Sequence, residues 1–277
     1  MSSPRFAAWL AATPLWLVAL SLLVLMLAAA LLGYALRQLH KRRLAESGQA
    51  PVAEEGFVLS SVLGLLALLI GFTFALAIDR FETRRALVLE EANAIGTAYL
   101  RAQLLDEPHR ARISRLLVAY TDNRLEIASQ PHGIARALVV RNDRLANELW
   151  VATVAAWPTI RGMNFSSAFI DSMNAVIDLN ESRKVARQAK VPYEVYLVLF
   201  VYIIATVGLV GYTRESGRER WAATFLFLLL TLSLVLIIDI DRPASGGINE
   251  SQRPMEDLQA MLRASPPETF GAPVAAP

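Results

Sequence analysis

The chain predicts an all-α integral membrane protein, with four transmembrane helices and an extramembrane antiparallel helical bundle between the second and the third. Three observations carry that prediction. Of the 277 residues, 55% are hydrophobic and 19% are charged, where a soluble domain has about a quarter charged. The apolar excess is gathered into four blocks rather than spread out. The charged stretch between the second and third blocks keeps a helical period and shows no strand-like alternation.

The first block runs from Pro14 to Leu36. At 1.5 Å per residue it covers roughly 30 Å, the thickness of a hydrocarbon core. Arg5 before it and Ala28-Ala29-Ala30 within it resemble a cleaved signal peptide. The run is longer than a signal core of about 7–15 residues, so it reads as a retained span. The second block is Phe57 to Ile78, the third Val195 to Tyr212 after Pro192, and the fourth Trp221 to Ile238. Trp9, Trp16, Tyr193, Tyr196, Tyr212 and Trp221 lie near block ends, where aromatic side chains anchor spans at the interface.

No Asp, Glu, Lys, Arg or His falls inside the four blocks. Ion-coupled pumps and transporters need an ionisable group near the midplane, so the pattern argues against them. A passive pore or a bundle without transport remains. In the second block Ser60, Gly64, Ala67, Gly71 and Ala75 fall on one helical face. Small residues so placed let another helix approach closely or line a pore.

From Asp79 to Val191 the composition changes to charged and arginine-rich. Phe81, Val88, Ala92, Ile95, Tyr99 and Ala102 are helically spaced, and no breaker stands between Phe57 and Leu105. The second span is therefore expected to continue as one rod, ended by Pro108. A following helix carries Ile113, Leu117 and Tyr120 and stops near Pro131-His132-Gly133. Another starts at Ile134, carries Leu138, Leu145, Leu149 and Ala152, and ends at Trp157-Pro158. A last one follows Gly162 with Phe169, Met173, Val176 and Asn180. The expected divisions are 1–56 (first span and basic loop), 57–191 (second span and bundle), 192–262 (third and fourth spans with an acidic segment) and 263–277 (a disordered Pro/Ala-rich tail).

Other classes fall away. There are no cysteines, hence no disulfide or thiolate chemistry. His40, His109 and His132 lie far apart, and no serine–histidine–acid order appears, so no enzyme is read. With 27 basic against 25 acidic residues and a net charge of +2, the chain lacks the basic excess of a nucleic-acid binder. The expected partner is the lipid bilayer of an inner (plasma) membrane.

One stretch resembles a known family. Gly71-Phe72-Thr73-Phe74, Arg84-Arg85 and Glu90-Glu91-Ala92-Asn93-Ala94-Ile95-Gly96-Thr97 look like the central motif of the bacterial bestrophin-like domain family. Asp241-Arg242-Pro243, Gly247 and Ser251-Gln252-Arg253-Pro254 resemble its second motif. The likeness covers about residues 57 to 262. It implies distant kinship to the bestrophins, pentameric anion channels whose second helix lines the pore and carries an apolar neck. By that resemblance the chain is a homo-oligomer that passes small ions, and Ile70, Phe74 and Ile78 have the spacing a neck needs. The bestrophin calcium site uses acidic residues after the last span. Asp239, Asp241, Asn249, Glu250, Glu256 and Asp257 stand at that place, without the dense acidic run of bestrophins.

The same residues carry plainer readings. Glu90 and Glu91 lie about 100° apart on a helix, so one of them is expected to meet solvent or an arginine such as Arg84 or Arg85. Asn93 and Thr97 share a face, either as a polar clasp to a neighbouring helix or as a ligand contact, with Gly96 allowing close approach. Asp239 and Asp241 form either a helix-terminal ion pair with Arg242 or a site for calcium or another hard cation. No other cofactor is implied.

Sidedness has two readings. Arg37, Lys41, Arg42 and Arg43 in one short loop, and Arg214, Arg218 and Arg220 in another, place both loops in the cytoplasm and the bundle outside. The bestrophin resemblance places the helical segment in the cytoplasm. The functional alternative to a channel is a membrane-anchored receptor or scaffold with a four-helix sensory domain.

Overall fold

A computed structural model describes residues 9, 13–47, 55–130, 135–213, 217–243 and 246–270. In order they form α1 (Leu15–Ser47), α2 (Glu55–Ala102), α3 (His109–Ala128), α4 (Arg136–Ile160), α5 (Ser166–Gln188), α6 (Tyr193–Thr213), α7 (Gly217–Ile240), α8 (Arg253–Ala264) and a 3-10 turn at Pro267–Phe270. Among the described residues there is no strand. Four stretches, in α1, α2, α6 and α7, are long and apolar enough to cross a membrane. The chain forms two compact units. One holds the residues up to Arg80, Lys190–Arg242 and Gly246–Ile248; the other holds Phe81–Ala189, Pro243–Ser245 and Asn249 onward.

In the first unit α1 packs against α6 and α7. Val18, Leu22 and Met26 on α1, and Leu199, Ile203 and Val207 on α6, recur every four residues and are buried. Lipid is as apolar as these side chains, so tight backbone packing must supply much of the attraction. A Cβ added at Gly33 would lie 2.0 Å from the Gly208 carbonyl oxygen, and one at Gly211 would lie 2.1 Å from that of Ala30. The crossing is backbone on backbone, so glycine alone fits. Hydroxyls in the apolar stretches donate within their own helices: Thr73 to Leu69 O at 2.8 Å, Thr206 to Tyr202 O at 2.7 Å and Thr231 to Phe227 O at 2.8 Å. These three hydroxyls are thereby satisfied within their own helices.

The second unit has one apolar core. Ile95, Tyr99 and Ala102 of α2 meet Ile113, Leu117 and Tyr120 of α3, and Leu149, Ala152 and Ala156 of α4. Phe169, Met173 and Val176 of α5 and Met255, Leu258 and Leu262 of α8 complete it. The three- and four-residue spacings turn one stripe of each helix inward. Each large side chain so buried contributes about 1.5–3 kcal/mol. Gly162, at φ +92°, turns the chain from α4 into α5 in a conformation that favours glycine.

The structure corrects several expectations. α1 continues to Ser47, because no breaker follows Arg37, so much of the supposed basic loop is helix. α4 passes through Pro158 to Ile160. A proline there removes one backbone bond near an exposed end, which the helix tolerates. The acidic segment contains α8, with Pro254 in its first turn, Glu256 at its start and Arg263 at its end, in line with the helix dipole. The expected disordered tail is ordered as far as Phe270: the Tyr99 hydroxyl donates to Ser265 O at 2.8 Å and its ring meets Phe270 edge-on. Residues 271–277 lie outside the described residues, as do Pro131 to Ile134.

Candidate functional site on the long helix

α2 is unbroken from Glu55 to Ala102, with no turn between Ile78 and Arg85. Its 48 residues measure about 70 Å at 1.5 Å each, more than twice a hydrocarbon core. The Glu-Glu-Ala-Asn motif falls well past the apolar block Phe57–Ile78.

Adjacent motif residues meet different surroundings. Glu90 is exposed, whereas Glu91 is fully buried. The Tyr120 hydroxyl donates to Glu91 Oε1 at 2.6 Å, and Arg124 Nε donates to Oε2 at 3.1 Å. Arg183 donates to the same Oε2. Burial alone would raise the Glu91 carboxyl, but the charges of Arg124 and Arg183 and the Tyr120 hydroxyl outweigh it and hold it below the ordinary carboxylate value. Burial, then the Glu91 charge, push the Tyr120 phenol well above its ordinary value, so it stays a donor. The arginines on Glu91 come from α3 and α5, not from the nearby Arg84 and Arg85.

Arg84 is buried and forms an ion pair with Glu250. The two stretches that carry the family resemblance therefore meet here. They meet again at Gly96, whose Cβ position lies 3.4 Å from Leu258 Cδ1 of α8. The neighbour that Gly96 faces is thus α8, at ordinary contact distance. Arg85 is exposed beside Glu82 at 3.4 Å.

Another face of α2 is uncovered. Asn93 and Thr97 are exposed, as are Leu89 and Leu100. In the apolar block Ser60, Gly64, Ala67, Gly71 and Ala75 are all exposed, and nothing lies within 4 Å of a Cβ added at Gly64 or Gly71. Of the neck candidates, Phe74 is 38% exposed, and Ile70 and Ile78 are half-buried. The buried side of the block is made by Leu66, Thr73 and Ala77.

In the last turn of α7, Asp239 Oδ1 accepts from Gly247 N at 2.6 Å. Asp241 accepts from Val191 N at 2.9 Å and from the Tyr196 hydroxyl at 3.2 Å. Both carboxylates tie backbone of the first unit together. Tyr196 is buried on Asp241 rather than anchoring an interface. A calcium ion takes 6–8 oxygen ligands, and among the described residues no three acidic or histidine side chains converge. Carboxylates already facing N–H and O–H donors do not fit a resident cation.

The profile of the Bestrophin-like domain family matches residues 22–255. No curated protein matches the sequence. Among solved structures, a single-substitution variant of a bacterial bestrophin homologue from Klebsiella pneumoniae is similar at 12% identity and a TM-score of 0.65, over 94% of this chain and 99% of that one. A second variant gives 13% and 0.64, over 91% and 100%. Another structure of the same homologue gives 13% and 0.62, over 91% and 99%. At such identities the likeness is one of fold.

Proposed function

Since this chain belongs to the bestrophin-like domain family, we propose that it is an oligomeric channel for anions or other small ions, with the apolar part of α2 beside the pore. In this reading the spans lie in the plasma membrane, and the helices between Phe81 and Ala189 form a bundle outside the lipid. The uncovered small-residue face of α2 carries the proposal. Among the described residues nothing lies within 4 Å of a Cβ added at Gly64 or Gly71, and glycines turned to lipid forfeit the close packing that small residues permit. Further copies of the chain around an axis supply what is missing. The absence of ionisable side chains from Phe57 to Ile78 suits passive conduction rather than proton coupling. Ile70, Phe74 and Ile78 then form the constriction, with Phe74 nearest the ion path.

The test is ion flux through purified protein in liposomes, read separately for chloride and for monovalent cations. The expected result is protein-dependent flux that rises in Phe74→Ala. No flux of either sign from an intact symmetric oligomer overturns the proposal. A stable heteromeric partner from native membranes, with no flux, would favour the receptor or scaffold reading.

A further inference from the structure

The Glu91 hub has a cationic surplus. α3, α4 and α5 line a half-open cavity of about 230 Å³, walled by Arg124, Arg183, Lys184 and Arg187, with Asn142 and Val139. Arg124 and Arg183 share the single carboxylate of Glu91. Lys184 is matched by Asp143 at 2.6 Å and Glu181 at 3.2 Å. Arg187 has no carboxylate partner among the described residues, and Glu250, which attracts it from a distance, is already paired with Arg84. On the guanidinium side three cations face the one carboxylate of Glu91, and with Lys184 and its two carboxylates included four cations face three anions, so the cavity keeps a net positive charge. Arg124 is buried, and its Nη2 lies 3.0 Å from Glu91 Oε2 but out of line for a hydrogen bond, so its hydrogens have no acceptor.

Buried like charges held together without a counter-charge are costly. Burial and the charges of Arg183 and Arg124 already press the Arg187 guanidinium down to about 10. A compact dianion would relieve this. A phosphate group carries about −1.5 to −2 charge near neutral pH and three acceptor oxygens, and guanidinium forks match it in geometry. Water takes about 30 Å³ in the liquid, so the cavity has room for a phosphate and a small attached group. Lys184, also on the lining, is 30% exposed.

We propose that this cavity binds a phosphate group, with Arg187 as its principal ligand and Arg124 and Arg183 completing the charge balance. The inference is independent of the channel reading, since it concerns binding within the second unit alone. The phosphate belongs either to a soluble monoester or to a lipid whose headgroup ends in a phosphate monoester, as phosphatidic acid does, and both present the same group.

Inorganic phosphate is titrated into the full purified chain in detergent, with sodium chloride at matched ionic strength as reference, by calorimetry and by melting temperature. Saturable binding and a higher melting temperature with phosphate are expected. Arg187→Gln should weaken binding at least tenfold without lowering the unliganded melting temperature, since it removes a repelled charge. Arg187→Lys should restore part of the affinity. Val139→Trp, which fills the cavity without touching a charge, should abolish binding. Glycerol 3-phosphate displacing phosphate more strongly than dihexanoyl phosphatidic acid indicates a soluble source, and the reverse order a headgroup. Phosphate that does no better than matched chloride, or Arg187→Gln binding as the native chain does, overturns the proposal.

Discussion

Two faces of α2 are built differently. On one, Glu91, Ala92, Ile95 and Tyr99 are buried and packed by residues of the same chain. On the other, Asn93, Thr97, Leu89 and Leu100 stand uncovered, and so do Gly64 and Gly71 in the apolar block. The Glu-Glu-Ala-Asn motif straddles the two. Its second glutamate serves the fold of the chain itself. Its first glutamate and its asparagine stand exposed. The glycines repeat the contrast: Gly33 and Gly211 are filled by backbone, whereas Gly64 and Gly71 are open.

Substitutions on the two faces should diverge. Glu91→Ala strands Arg124 and Arg183 in the interior and should cost about 3–5 kcal/mol, read as a large fall in melting temperature in detergent. An unchanged melting temperature would remove the distinction between the faces. The same carboxylate sets an acid limit. Its folded pKa is depressed, so its contribution is full above the ordinary value of 4.5 and is lost as the pH falls below it. A Glu91→Gln chain should lack that component of acid destabilisation. Tyr120→Phe removes one donor to a buried charge and should cost about 1.5–3 kcal/mol. Gly96→Ala tests the boundary between the faces. The new methyl group would meet only the flexible end of Leu258 at 3.4 Å, and the gain in helix propensity is about 0.8–1 kcal/mol, so the variant should melt slightly higher. Asn93→Ala and Thr97→Ala should shift single-chain stability by less than about 0.5 kcal/mol, while altering the distribution of oligomers seen by native mass spectrometry.

Hydropathy made the four apolar blocks and the unbroken α2 legible, because each rests on local periodicity. Partners distant in sequence were not legible. The arginines on Glu91 lie 33 and 92 positions away, so proximity pointed to Arg84 and Arg85 instead. Tyr196 looks like an interfacial anchor until Asp241, 45 positions on, takes its hydroxyl. α8 is short and sits between prolines, so its buried Met255, Leu258 and Leu262 were hidden in a segment read for its acids. Gly208 and Gly211 are small residues three apart in an apolar block, the same pattern that drew attention to the second block. Applied to α6, it would have marked the close helix crossing.

The absence of cysteine makes the central claim directly testable. Gly71→Cys and, as a control on an exposed position of α7, Leu228→Cys can each be treated with a short bismaleimide in native membranes. If the uncovered face of α2 meets further copies of the chain around an axis, Gly71→Cys gives a ladder of cross-linked species ending at a closed ring, and Leu228→Cys stays largely monomeric. A Gly71→Cys chain that remains monomeric, or that cross-links no better than the control, contradicts the account.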